Sequence, residues 1–284
     1  MSKVLEVKNV SKDYGDFKLK NVSFSLEKGY IMGLIGPNGS GKTTTIKLIM
    51  NLLSKDSGEI KMFNKDHIAD EVKIKEKIGF VYDGDIYPSG MKLEKIAKLI
   101  APFYKSWDQH IFEGYIKKFR LNLGKKLEDL SKGMKIKFSI AMALSHKPEL
   151  ILMDEPTSGL DPVFRREFLE LLQDIIEKRK ASVIFSTHIT SDLEKVADYI
   201  TFIDDGEVVF TDTYCDLVEN YRLVKGKKEV LNNHKDTLIG MKVNKFGIEG
   251  LAKSDSCHTL TENEGVLLER PSLEDIMYYV STRD

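Results

Sequence analysis

The sequence predicts an α/β protein. Its core is a parallel sheet, accompanied by an antiparallel β subdomain, an inserted helical subdomain and a small C-terminal accessory region. Three observations predict it. Short apolar runs of strand length (IMGLIG, IGFVY, ELILM and SVIFS) are separated by segments of helical periodicity such as FLELLQDIIEK, the pattern of parallel strands joined by crossover helices. The first thirty residues instead alternate apolar and polar positions, as a half-buried antiparallel layer does. From about residue 92 to 145 three segments look helical with no strand between them.

Along the chain, VLEV alternates, and FKLKNVSFSL places Leu19, Val22, Phe24 and Leu26 in a mostly alternating pattern that ends at Gly29. IMGLIG then runs into a glycine-rich loop, and TTTIKLIMNLL follows with helical spacing of Ile46, Ile49 and Leu53. The helical insertion is read from MKLEKIAKLIAPFY, IFEGYIKKFR and KIKFSIAMALS. YITFIDDGEVVF predicts a hairpin turning at Asp205-Gly206. Beyond it the composition shifts to Lys-rich segments broken by Asn and Gly, which divides the chain into residues 1–212 and an accessory region, 213–284, closed by the helix SLEDIMYYV.

Composition removes several function classes. With 43 Lys+Arg against 44 Asp+Glu there is no global basic field to attract nucleic acid, so no nucleic acid is expected as a partner. The Lys-rich tail, with Lys225, Lys227 and Lys228, reads as a solvated surface. Cys215 and Cys257 lie in no metal-ligand spacing and fit a reducing compartment. No apolar signal core opens the chain, and no stretch approaches the roughly 18 apolar residues of a membrane span, so a soluble chain is expected.

Chemistry enters at Gly36-Pro37-Asn38-Gly39-Ser40-Gly41-Lys42-Thr43, a full match to the G-x-x-x-x-G-K-[ST] phosphate loop, placed between an expected strand and helix as that motif requires. Its glycines let backbone N–H groups curl around phosphate oxygens, and the helix N-terminus adds a positive dipole end. Lys42 reaches the β- and γ-phosphates, the Thr43 hydroxyl ligates Mg2+, and Thr44 completes the nucleotide-binding set. The parallel-sheet core is thereby read as that of a P-loop NTPase binding ATP or GTP. Ile151-Leu152-Met153-Asp154-Glu155 is an apolar strand delivering two carboxylates at its carboxyl end, where ligands of open α/β sheets lie. Alternation predicts that they point to opposite sides, Asp154 to the metal and Glu155 to the water that attacks the γ-phosphate.

The segment DEPTSGLD following an LSxG element resembles the nucleotide-binding subunit of ATP-binding cassette (ABC) transporters, over roughly residues 3 to 212. The resemblance implies an ATPase with ATP and Mg2+ as cofactors. It implies too that two cassettes, a homodimer or a related heterodimer, pack head to tail so that Ser131 and Gly133 of Leu130-Ser131-Lys132-Gly133-Met134 touch the nucleotide held by the other. By the same resemblance Asp161 belongs to the loop crossing that joint, His188 is the switch histidine at the γ-phosphate, and Tyr14 stacks on adenine. The family's usual glutamine near the metal is replaced by Asp83, with Asp85 a second candidate, and Lys132 and Met134 stand where glycine and glutamine are usual. Ser131 is in addition a natural N-cap.

The remaining partner implied is a separate transmembrane permease, which places the chain in the cytoplasm, peripheral on the inner face of the cell membrane. LSKGM, Asp83 and the closing PSLEDIMYYV together resemble bacterial exporter cassettes of the YtrB and phenol-soluble-modulin transporter kind, implying export of antimicrobial or amphipathic peptides. The alternative is a soluble cassette ATPase acting on nucleic acid or ribosomes. A single phosphate loop and the absence of a long coiled coil between Lys42 and Ser131 argue against it. A GTPase is disfavoured because NKDH, at Asn64 to His67, misses the guanine-reading NKxD spacing.

Overall fold

A computed structural model describes residues 2–281 apart from 83, 85, 246 and 262–264. The chain opens with β1 (Lys3–Asp13) and β2 (Lys18–Glu27), paired antiparallel with Val7 opposite Phe24 and Val10 opposite Val22. Their alternation, shifted in phase by an irregularity between Val7 and Val10, turns one face inward, burying Leu5, Val7, Val10, Val22, Phe24 and Leu26. The fully buried β3 (Ile31–Ile35) leads through the glycine-rich loop into α1 (Lys42–Ile49). Next, β4 (Ser57–Met62) and β5 (Lys65–Asp66) complete the antiparallel layer in the order β2-β1-β4-β5.

After α2 (Glu71–Lys75) comes β6 (Ile78–Val81), and then the helical insertion: α3 (Leu93–Ile100), α4 (Gln109–Lys118) and α5 (Lys132–Leu144). The Asp108 side chain caps α4 by accepting from the His110 and Ile111 N–H groups. The chain returns to the sheet as β7 (Leu150–Asp154), α6 (Pro162–Arg179), β8 (Ser182–Ser186), α7 (Thr190–Val196), β9 (Tyr199–Asp204) and β10 (Glu207–Thr213). The central sheet runs β10-β9-β3-β8-β7-β6, and each neighbouring pair is parallel except the β9/β10 hairpin. That hairpin turns at Asp205 and Gly206, both at positive φ (42° and 77°), as a two-residue turn of this twist demands.

The apolar strands of the central sheet are covered on both faces, which is why they read as continuous hydrophobic runs. Ile31, Ile35, Ile151 and Met153 join the core shared with the helical insertion and α6. Met32, Leu34, Leu150 and Leu152 join the core shared with the antiparallel layer and α1.

The C-terminal region holds more regular structure than its composition predicts. It comprises α8 (Tyr214–Asn220), β11 (Tyr221–Gly226), α9 (Lys228–Leu231), β12 (Leu238–Val243), β13 (Ile248–Lys253), α10 (His258–Thr261), β14 (Val266–Glu269) and α11 (Leu273–Ser281). The strands form an antiparallel sheet in the order β12-β13-β11-β14. One face builds a small core of Val224, Leu231, Ile248, Ala252, Cys257 and Leu260. The other face, through Leu223 and Leu251, joins Leu273, Ile276 and Tyr279 of α11 in the main core. Lys225, read from the sequence as solvated, lies 2.8 Å from Glu269 and 3.6 Å from Glu249. Among the described residues no helix is long and apolar enough to cross a membrane.

Candidate nucleotide site

The carboxyl ends of β3, β7 and β8 lie side by side in the central sheet, and the three loops leaving them build one cleft. The loop after β3 depends on its glycines. Gly36 has φ 154°, and a Cβ there would stand 2.1 Å from the Ile203 carbonyl oxygen, so the backbone approach is open to glycine alone. Gly41 has φ 111° and faces Leu19 and the Phe17 ring. Lys42 is 6% exposed, and its Nζ donates to the Gly36 and Pro37 carbonyls, each at 2.9 Å, which folds the ammonium back over the loop. Burial lowers its pKa, against the pull of the Glu155 and Asp154 carboxylates, which favour the charged form.

Asp154, buried at the end of β7, accepts hydrogen bonds from Thr43 Oγ1 (2.9 Å to Oδ2) and Ser186 Oγ (2.6 Å to Oδ1). A hydroxyl and a carboxylate held together by protein hydrogen bonds are hard oxygen donors of the kind magnesium takes, and the pair fits that ion. Glu155 departs from the alternation expected of a continuing strand. The strand stops at Asp154, Glu155 takes a left-handed φ of 49°, and its N–H donates to the Ser186 carbonyl at 3.1 Å. The turn sends Glu155 to His188, whose Nδ1 lies 2.8 Å from Glu155 Oε2, so Glu155 lines the cleft while Asp154 meets it through its hydrogen bond to Thr43.

The cleft, of about 520 Å³, takes in Asn38, Gly39 and Gly41 to Thr44 from the first loop, Glu155 and Ser158 from the second, and His188 from the third. Sequence reasoning gave no role to Phe17, which also lines the cleft, or to Ser186, and it placed Ser158 only in the loop with Asp161 expected to cross to a second cassette, whereas Ser158 lines its own chain's cleft. Tyr14 does not line it. Its N–H donates to the Phe17 carbonyl in a tight turn, its ring is 46% exposed with Lys12 Nζ 5.8 Å from the centroid, and the turn sets Phe17 beside Gly41. A second aromatic three residues after Tyr14 was the available signal.

Ser131 caps α5, accepting from the Met134 N–H at 3.3 Å, and Gly133 lies against the Gly159 carbonyl. Asp161 caps α6, accepting from the Phe164 N–H at 2.9 Å, and that bond lowers its pKa. Ser131, Gly133 and Asp161 stand outside the lining of their own chain's cleft. Asp83 and Asp85 lie outside the described residues.

Fold and site together define a P-loop ATPase cassette. The family model for ABC transporters matches residues 19–158. The linearmycin resistance ATP-binding protein LnrL of Bacillus subtilis is 37% identical over 224 residues, covering 75% of this chain and 70% of that protein. The bacitracin transport ATP-binding protein BcrA of Bacillus licheniformis is 31% identical over 214 residues, covering 74% and 69%. Among solved structures, the ATP-binding subunit of an ABC transporter superposes with a TM-score of 0.68 at 29% identity, covering 75% of this chain and 91% of that one. The dimeric post-hydrolysis cassette MJ0796, bound to ADP and Pi, gives 0.66 at 26%, covering 74% and 98%. The chain belongs to the ABC transporter family, as one of its ATP-binding, ATP-hydrolysing subunits.

Proposed function

We propose that this subunit hydrolyses ATP in the cleft over Lys42 and uses the cycle to drive export by a separate membrane permease. The observation that carries the reading is the convergence of Lys42, Thr43, Glu155 and His188 on one cleft, with Asp154 at the end of β7 bonded to Thr43. The loop 36–44 wraps the phosphates through its backbone N–H groups, and Lys42 exchanges its carbonyl partners for phosphate oxygens. Glu155 orients the attacking water and accepts its proton, a role worth about 10²- to 10⁴-fold in rate. His188 holds the Glu155 carboxylate in place and faces the γ-phosphate. Thr43 and Asp154 would hold magnesium, which neutralises charge on the phosphates as the bond breaks. Asp83 belongs to this reading as a further oxygen ligand. Phe17 takes the place beside the loop that Tyr14 was expected to fill.

In this reading two cassettes meet head to tail, so that Ser131, Gly133 and Asp161, capping or opening helices at the edge of one chain, complete the site of the other. The region 1–212 is the cassette and 213–284 its accessory region. The names of LnrL and BcrA, which concern linearmycin resistance and bacitracin transport, support antimicrobial or amphipathic peptides as cargo and export as the direction. The subunit then works in the cytoplasm against the inner membrane face. The test is Glu155→Gln: ATP should still bind while turnover falls by two orders of magnitude or more, on the order of the base's contribution. Turnover at the wild-type rate removes Glu155 from the role.

A further inference from the structure

Lys132 Nζ donates to Ser158 Oγ at 3.2 Å, which ties the start of α5 to the loop that follows β7. The lysine stem lies over Gly159, its Cδ 3.0 Å from where a Cβ would stand, and a Cβ on Gly133 would come 3.2 Å from the Gly159 carbonyl oxygen. Gly133 thus lets the Gly159 carbonyl come close, and Gly159 leaves room for the Lys132 stem to lie over the turn. Ser158 is the far end of a compact turn, because its N–H donates to the Glu155 carbonyl at 3.1 Å. Glu155 itself sits at φ 49°, a conformation that costs a non-glycine residue free energy and persists only where its surroundings impose it. Thr157 supplies no tether, since its buried hydroxyl has no hydrogen-bond partner among the described residues.

We propose that Lys132 is a positioning residue for ATP hydrolysis, holding through Ser158 the turn that aims Glu155 at the attacking water. The inference rests on the assignment of Glu155 above. It makes the segment from Leu130 to Met134 part of its own chain's site, so that displacement of the start of α5 is felt at Glu155 through Ser158. A lysine in direct contact with phosphate would act on affinity instead, because it would stabilise bound nucleotide as well as the transition state.

The test compares steady-state ATP hydrolysis of Lys132→Met, which keeps the stem on Gly159 and removes the donor, with Lys132→Arg, Ser158→Ala and the Met/Ala double variant. One hydrogen bond of this kind is worth about five-fold in rate. Lys132→Met and Ser158→Ala should each lower kcat by about that factor with KM for ATP unchanged, the double variant should be no slower than either, and Lys132→Arg should recover most of the loss. Additive losses in the double variant, a raised KM with kcat intact, or a silent Lys132→Met would each overturn the proposal. Glu155→Gln run alongside separates the two readings. If it keeps turnover, the assignment of Glu155 fails and takes this inference with it. If it is inactive while Lys132→Met is silent, only this inference fails.

Discussion

His188 Nδ1 lies 2.8 Å from Glu155 Oε2, joining the loop after β8 to the loop after β7 across the cleft. Glu155 is left-handed and only 15% exposed at its side chain, so the histidine holds a carboxylate whose backbone has already turned it toward the phosphate loop. His188→Ala should therefore lower kcat by about 10²-fold, the lower range for losing a positioned acid-base partner, while ATP binding measured by equilibrium titration stays near wild type. Unchanged turnover would show that the contact is incidental.

Ser186 Oγ donates to Asp154 at 2.6 Å, and both residues are buried at the strand ends. Ser186→Ala leaves one carboxylate oxygen short of a donor, which costs about 1–2 kcal/mol of stability. The magnesium concentration for half-maximal ATPase activity should rise as well, since Asp154 loses the bond that orients it beside Thr43. A magnesium titration of the variant and the wild type decides it, and superimposable curves would count against Asp154 as a ligand.

Asp192 on α7 is 1% exposed and receives Arg165 Nε from α6 at 2.7 and 2.8 Å. Removing the guanidinium strands a buried charge, so Arg165→Ala should destabilise by about 3 kcal/mol. Adding Asp192→Asn should recover part of the loss, because a neutral amide is cheaper to bury. Urea unfolding of both variants measures the difference, and a single variant as stable as wild type contradicts the argument.

Glu149 sits between Lys77 (2.7 Å) and Lys28 (3.4 Å), and the hydrogen bond from Lys77 leads in holding its carboxyl below the usual carboxylate range. A depressed carboxylate pKa stabilises the fold above the unfolded-state value, and the contribution is lost as pH falls through the folded-state value. Because Glu149 is 39% exposed, solvent screening limits the effect to under about 1 kcal/mol. Glu149→Gln should lower Tm slightly near neutral pH and match wild type once the carboxylate is protonated in acid. A deficit that persists in acid would place the cause in packing.

Much of the site was legible because its chemistry is local. The loop from Gly36 to Thr43 needs consecutive glycines and a lysine at fixed spacing, and the strand ending in Asp154-Glu155 needs a carboxylate pair after an apolar run. The same holds for the central strands, whose apolar runs follow from burial on both faces. Phe17 was illegible because the turn from Tyr14 to Phe17, and not the residue type, decides which ring reaches Gly41. The C-terminal strands were illegible because they are six residues or fewer, interrupted by Gly240 and Gly250, and carry Lys225, Lys242 and Lys253.

The sequence by itself determined the α/β class, the antiparallel layer ahead of the parallel core, the helical insertion and the phosphate loop. Each of these is written in periodicity or in a contiguous motif, which short-range backbone preferences convert directly into structure. Tertiary structure alone decided that Glu155 leaves the strand alternation to meet His188, that Ser186 orients Asp154, and that Lys132 lies against the turn carrying Glu155. Those contacts join residues 26 to 33 positions apart, and only the side-by-side stacking of β7 with β8, and of α5 against the loop after β7, brings them within hydrogen-bond reach.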